Sequence, residues 1–280
     1  MKKKLIHDVD YEEVWREGIK DWNGNMPKRM TDDQCEESFW RNFLNEKSTT
    51  QPIDSYSLPF YRELSTYFTS EDNVLEIGPG AGNYTFSIAE KVRSLTVVDP
   101  SKSVLHYLNE RINHKAITFQ PIHSKWETYQ SNQLFSVVLG VNCFYRMFEI
   151  KQALANMNNH ATKHCIIGMT TGPLQPHYLD LERTQRCVLK YPRRDYVHLL
   201  NVLYEMGIYA DCKMVPLKRK YTYSSLEEAV QSCRKKVLSP QLSEETLRES
   251  LLPYLQKENG KWTYKHAFYG ALISWKPTIL

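Results

Sequence analysis

Val74–Tyr84 reads VLEIGPGAGNY: an apolar run, an acidic residue within it, a glycine-rich turn and the start of a helix-like segment. Val74, Leu75 and Ile77 suit a buried parallel strand, and Gly78, Gly80 and Gly82 let the backbone turn sharply and approach a ligand without side-chain clash. A second strand signal, Leu95–Val98, ends at Asp99, 21 positions beyond Gly78. That is close to the roughly 20 residues that place an acid at the tip of the next strand, within reach of both hydroxyls of a ribose. Pro100-Ser101 then opens another helix.

Outward from this unit, strand signals recur at Ala116–Phe119, Ser136–Val141 and Cys165–Met169, separated by helix-like segments near Tyr84–Lys91, Ser103–Asn113 and Ile150–His160. Strands alternating with helices predict an α/β fold, a mostly parallel sheet with helices on both faces. Before it, Asp10–Phe68 is aromatic, charged and helical in pattern, broken near Asn23–Pro27 and Thr49–Pro52, and reads as an N-terminal helical lid over residues 1–68. Trp15, Trp22 and Tyr56 are its candidate site-covering aromatics. After Gly172-Pro173 come a helix near Arg194–Gly207, strands at Ala210–Leu217 and Ser274-Trp275, and amphipathic helices at Ser225–Leu238 and Ser243–Gln256.

The 280 residues, 41% hydrophobic, suffice for a sizeable core. The 36 basic residues are interspersed among 32 acidic ones, for a net charge of +4, which disfavours a nucleic-acid partner. Six cysteines without a CxxC pair point to a reduced, cytoplasmic chain rather than a disulfide framework or zinc ribbon. No apolar stretch reads as a signal peptide or a membrane span. His160, His164 and Cys165 straddle a helix end and a buried strand, so no metal is expected.

The turn is spaced GxGxG rather than the GxGxxG of dinucleotide sites, and Glu76 before it would repel a pyrophosphate but suit a cationic cofactor with an amino group. Glu76 to Gly82 resembles the first motif of class I S-adenosylmethionine (SAM) dependent methyltransferases, E-x-G-x-G-x-G, and Asp99 matches the acid of their second motif. The resemblance is in motif over Val74–Pro100 and in element order over about Asp54–Pro277. It implies a Rossmann-like, seven-stranded sheet closed by a hairpin, a methyltransferase domain over residues 69–280, and a helical insert at about 225–262. It also implies SAM as cofactor, S-adenosylhomocysteine as product, and cofactor contacts from Glu76, Gly78, Gly80, Gly82, Asn83, Tyr84, Asp99, Pro100 and Ser101.

Ligands of open α/β sheets lie beyond the carboxyl ends of the strands. After the third strand, QPIHSKWE lacks the acid that the family places against adenine, leaving main-chain groups of Ser124 and Lys125 and the face of Trp126 for that role. After the fourth, Asn142-Cys143-Phe144-Tyr145 keeps the first and last residues of the adenine-N6 methyltransferase motif but lacks its proline. Asn142 is therefore a candidate cofactor contact, with Tyr145 and Arg146 facing the acceptor; Cys143 reads as a buried thiol. After the fifth, TTGPLQPHY reads as a loop offering His177 as a general base and Tyr178 as an acceptor contact, with Tyr145 the second catalytic candidate. Tyr84, Trp126 and Tyr145 are candidates for an aromatic wall around the cofactor's sulfonium. The expected function is methyl transfer to a small-molecule N, O or S acceptor, with no membrane partner. RNA adenine-N6 methylation and a SAM-binding, non-catalytic partner subunit are the alternatives.

Overall fold

The apolar run at the head of the glycine turn becomes the centre of a sheet. In a computed structural model describing residues 8–46, 57–113, 116–185 and 187–278, β1 (Asn73–Ile77) buries Val74, Leu75 and Ile77 completely or nearly so. It pairs in parallel with β2 (Ser94–Asp99) on one side and β4 (Phe135–Val141) on the other. Strands covered on both faces need no polar alternation, which is why VLEI and LTVV read as continuous apolar segments. β3 (Thr118–His123) adds in parallel to β2, and β5 (Ala161–Thr171) in parallel to β4. With β6 (Asp211–Tyr223), β7 (Leu255–Glu258) and β8 (Lys261–Trp275), the order is β3-β2-β1-β4-β5-β8-β6, with β7 on β8. The expected Rossmann-like sheet is thus present, with eight strands in place of seven.

The eighth strand comes from the β7–β8 hairpin, whose two-residue turn is Asn259-Gly260. Both turn residues have positive φ, 50° and 76°, the conformation that matches the twist of flanking strands. The third strand lies two to four residues later than its expected position. None of its residues is fully buried and Pro121 lies in it, so no apolar run marks it.

The helices are α1 (Tyr11–Ile19), α2 (Lys28–Thr31), α3 (Asp33–Glu46), α4 (Leu58–Leu64), α5 (Thr85–Ala89), α6 (Lys102–Arg111), α7 (Ile150–His160), α8 (Pro176–Gln185), α9 (Tyr196–Glu205), α10 (Leu226–Arg234) and α11 (Glu244–Leu251). No helix among the described residues is long and apolar enough to cross a membrane.

The chain divides into two compact units. The first comprises residues 1–169, 193–215 and 271–280; the second comprises 170–192 and 216–270. In the first, α1 is anchored by Trp15, fully buried, whose indole N–H donates to the Met147 carbonyl at 2.8 Å. Trp22 is exposed beneath the Arg193 guanidinium, and Tyr56 falls outside the described residues. The second unit has its own core, including Leu181, Val230, Leu247 and Tyr264. Its helices α10 and α11 start where Ser225 and Ser243 accept the N–H groups of Glu228 and Thr246, with glutamates in each first turn favouring the positive helix end.

Candidate functional site

Gly78, Gly80 and Gly82 adopt φ of 57°, 55° and 76°, the left-handed region in which a side chain costs about 1–2 kcal/mol. Gly78 is bare for a second reason: a Cβ there would stand 2.6 Å from the Cβ of Cys143. The turn therefore fits against the segment after β4, and its main chain is held by Gly78 N–H to Val98 O and Gly82 N–H to Pro79 O.

Two carboxylates lie at its base. Glu76 is almost fully buried, and its Oε2 has no hydrogen-bond partner among the described residues. Burial, reinforced by the charge of Asp99, pushes its carboxyl up to about 7. Asp99 ends β2 and accepts the Ser101 N–H at 2.8 Å. Burial, with the nearby charges of Glu36 and Glu37, pushes it up to about 7 as well. Cys143 behind them is pushed well up by burial and by both carboxylates, which keeps its thiol neutral and inert.

Sequence reasoning missed the contribution of α3. The ring of Trp40 lies 3.0 Å from where a Cβ on Gly80 would stand, so the indole covers the turn. One helical turn earlier, Glu36 Oε2 binds Arg29 Nε at 2.5 Å and an Arg146 guanidinium nitrogen at 2.7 Å, while its Oε1 accepts the Trp40 indole N–H. Glu37 accepts the Ser101 hydroxyl, the Ser103 N–H and the Ser103 hydroxyl at 2.5–3.0 Å. Those bonds outweigh its partial burial and hold its carboxyl below the usual range. The signal was the Glu36-Glu37-x-x-Trp40 spacing on one helix, but nothing local says what that face meets.

The other expected site residues divide. Asn83, Tyr84, Pro100 and Ser101 flank the glycine turn and Asp99 in sequence. Tyr84 is buried against Phe60, and the Ser101 hydroxyl is committed to Glu37. Asn142 has φ 55° and donates its main-chain N–H to Gly168 O at 2.8 Å, a left-handed residue at the end of β4. Tyr145 is half exposed, with its carbonyl bound by Arg194. The Ser124 hydroxyl donates to the Lys125 carbonyl, and the Lys125 ammonium pairs with Asp33 of α3.

Three expectations are corrected. Trp126 is no free wall: it is 3% exposed, its indole N–H donates to Ala153 O at 2.9 Å, and it stacks on Tyr129. His177 is on α8, not on a loop; it is buried, and burial beside the Lys236 charge pushes its imidazole down to about 3. Tyr178 follows it into the second unit's core and donates its hydroxyl to Cys233 O.

The fold and turn can now be set beside known proteins. Residues 74–164 match a methyltransferase domain family. Over that stretch the chain carries a methyltransferase domain. A curated relative, ribosomal RNA small subunit methyltransferase A of Wigglesworthia glossinidia brevipalpis, is 31% identical over 75 residues. That match covers 27% of this chain and only about a quarter, 25%, of the relative. Among solved structures, a candidate methyltransferase of Bacillus halodurans C-125 aligns over 79% of this chain and 99% of its own, at TM-score 0.51 and 14% identity. The YcgJ protein of Bacillus subtilis aligns over 78% and 97%, at TM-score 0.50 and 13% identity; both likenesses are of fold.

The methyltransferase domain's own residues fit the family's cofactor. A buried carboxylate oxygen without a partner suits an ammonium group, and an acid at the tip of β2 suits ribose hydroxyls. Both carboxyls keep protons in the folded, cofactor-free protein to a pH at which the unfolded chain has lost them. The fold therefore loses stability as pH rises from about 4 to about 7, whereas a cationic ligand favours the ionised pair. SAM is expected to bind up to about a hundredfold more tightly at pH 8 than at pH 6, about tenfold for each carboxyl, with proton release. Calorimetry in two buffers of different ionisation enthalpy checks this; pH-independent affinity would refute it.

Proposed function

We propose that this chain transfers a methyl group from SAM to a small-molecule N, O or S acceptor. The observation carrying the small-molecule reading is the cover over the turn: Trp40 on Gly80, and Glu36 tying α3 to Arg29 and Arg146. A polymer would have to displace these contacts, whereas a small acceptor need not.

Bound SAM supplies a sulfonium-activated methyl, so little covalent work falls to the protein. Asp99 and Glu76 hold and orient, the bare main chain of the turn permits close approach, and Trp40 excludes water. Tyr145 and Arg146, following β4, are proposed to face the acceptor. No general base is assigned: Cys143 stays a thiol, and a free amine or thiolate acceptor needs none.

The alternative acceptor is an RNA adenine. It draws support from the ribosomal RNA methyltransferase relative and from Asn142 and Tyr145, the retained ends of the base-binding motif. Radiolabelled methyl transfer from SAM into a host extract, separated into small-molecule, RNA and protein fractions, tests the choice, with Asp99→Ala as control. Label among small molecules is the expected result. Label in RNA would replace this reading, and SAM binding without transfer would favour a non-catalytic subunit.

Trp40→Ala, which uncovers the turn, should speed SAM dissociation by about 3- to 10-fold, in line with the ~0.5–1.5 kcal/mol of a packed aromatic contact. Stopped-flow displacement measures it, and an unchanged rate would show that α3 does not retain the cofactor.

A further inference from the structure

Helix α3 lies along the carboxyl ends of the central strands. Spaced three and four residues apart, Asp33, Glu36, Glu37 and Trp40 share one face of it. Each meets the segment after a different strand: Trp40 lies against Gly80 after β1, Glu37 bonds Ser101 and Ser103 after β2, Asp33 pairs with Lys125 after β3, and Glu36 pairs with Arg146 after β4. The carboxylates on this face differ in one respect. Asp33 has the Lys125 ammonium at 2.8 Å, and Glu36 has the guanidinium groups of Arg29 and Arg146 at 2.5 and 2.7 Å. Glu37 pairs with no Lys, Arg or His among the described residues; its partners are the hydroxyls of Ser101 and Ser103 and the Ser103 N–H, at 2.7, 2.5 and 3.0 Å. Against its partial burial, those bonds hold the carboxyl below the usual range, so it is ionised at neutral pH.

Helix α6 does not need this charge as a cap, because the Ser101 hydroxyl oxygen already accepts the Val104 N–H at 3.3 Å. Ser101 instead joins Glu37 to Asp99: its hydroxyl donates to the first and its N–H to the second, at 2.7 and 2.8 Å. With both oxygens engaged by serines, Glu37 acts on a ligand beside Asp99 through its charge. Partly buried charges act on one another beyond contact, since the effective dielectric there lies well below that of water.

At neutral pH, SAM carries a sulfonium and an ammonium against one carboxylate, whereas S-adenosylhomocysteine has lost the sulfonium charge and is neutral overall. A fixed negative charge near their shared site therefore favours the first and leaves the second unchanged. We infer that Glu37 is a specificity-determining residue, whose uncompensated charge biases the site toward the cationic cofactor and against the neutral product that methyl transfer leaves behind. This role depends on SAM as the cofactor and is the same whichever acceptor takes the methyl group.

The test is calorimetric titration of the full chain with SAM and with S-adenosylhomocysteine at pH 8, where Asp99 and Glu76 are largely ionised. Glu37→Gln, which keeps an acceptor for the Ser103 N–H, should lower SAM affinity relative to S-adenosylhomocysteine by about 3- to 5-fold. Glu37→Asp keeps the charge and should keep the wild-type ratio. An equal loss for both ligands in Glu37→Gln would make Glu37 a mere support for α6 and overturn the inference. So would an unchanged SAM affinity, a ratio that falls as far in Glu37→Asp, or a wild-type protein that binds neither ligand. If Glu37→Gln fails to fold, Ser103→Lys, which sets a cation against the same carboxylate, should lower the ratio similarly, and an unchanged ratio there would overturn the inference.

Discussion

Asp99→Ala is expected to weaken SAM binding at least tenfold and up to about a hundredfold, the ~1.5–3 kcal/mol carried by hydrogen bonds to a charged group. The carboxyl ends β2, is nearly buried and accepts the Ser101 N–H, so its orientation is fixed before any ligand arrives. The same substitution should change the stability of the cofactor-free protein little. It removes a carboxyl that burial and the charges of Glu36 and Glu37 hold at about 7, but it also removes an acceptor for the Ser101 main chain. Calorimetric titration with SAM and thermal unfolding without it separate the two effects. Unchanged SAM affinity would remove Asp99 from the site; a large loss of unfolding temperature would make its role structural.

Gly82→Ala should destabilise the protein by about 2–4 kcal/mol, combining left-handed strain with overpacking. Its φ is 76°, and a Cβ there would stand 2.7 Å from Leu108 Cδ2 and against the ring of Phe86. Gly207 supplies the control: its φ is 75°, but nothing lies within 4 Å of a Cβ built on it. Gly207→Ala should therefore cost only the strain, about 1–2 kcal/mol. Urea unfolding of both variants reads the difference directly. Equal losses would mean that Phe86 and Leu108 move aside without cost.

The centre of the sheet was legible because its strands are buried on both sides and written in uninterrupted apolar letters, and because three glycines mark where the main chain must turn. What was illegible depended on contacts far apart in sequence. The Glu36 and Trp40 face of α3 becomes meaningful only once Arg146 and Gly80 lie against it. Trp126 has the position of an adenine wall, yet Ala153, 27 residues on, accepts its N–H and holds it in the core. His177 looks like a loop histidine beside two prolines, but Tyr264, 87 residues away, fixes its ring. The Asn259-Gly260 hairpin was the exception: its signal was local, and the helical pattern assumed around it hid a strand.

The first unit is assembled from three separated stretches of chain, and its last contributors, Ile273 and Trp275, belong to its main core. Translation delivers them roughly 100 residues after the end of β5, about 5–20 s later at ordinary elongation rates. Through that interval the nascent chain lacks β8, the strand that neighbours β5 in the finished sheet. An unpaired strand edge on a half-made sheet is a template for association with other chains. Slower synthesis of the final residues is therefore expected to lengthen the time for which the edge of β5 stays unpaired.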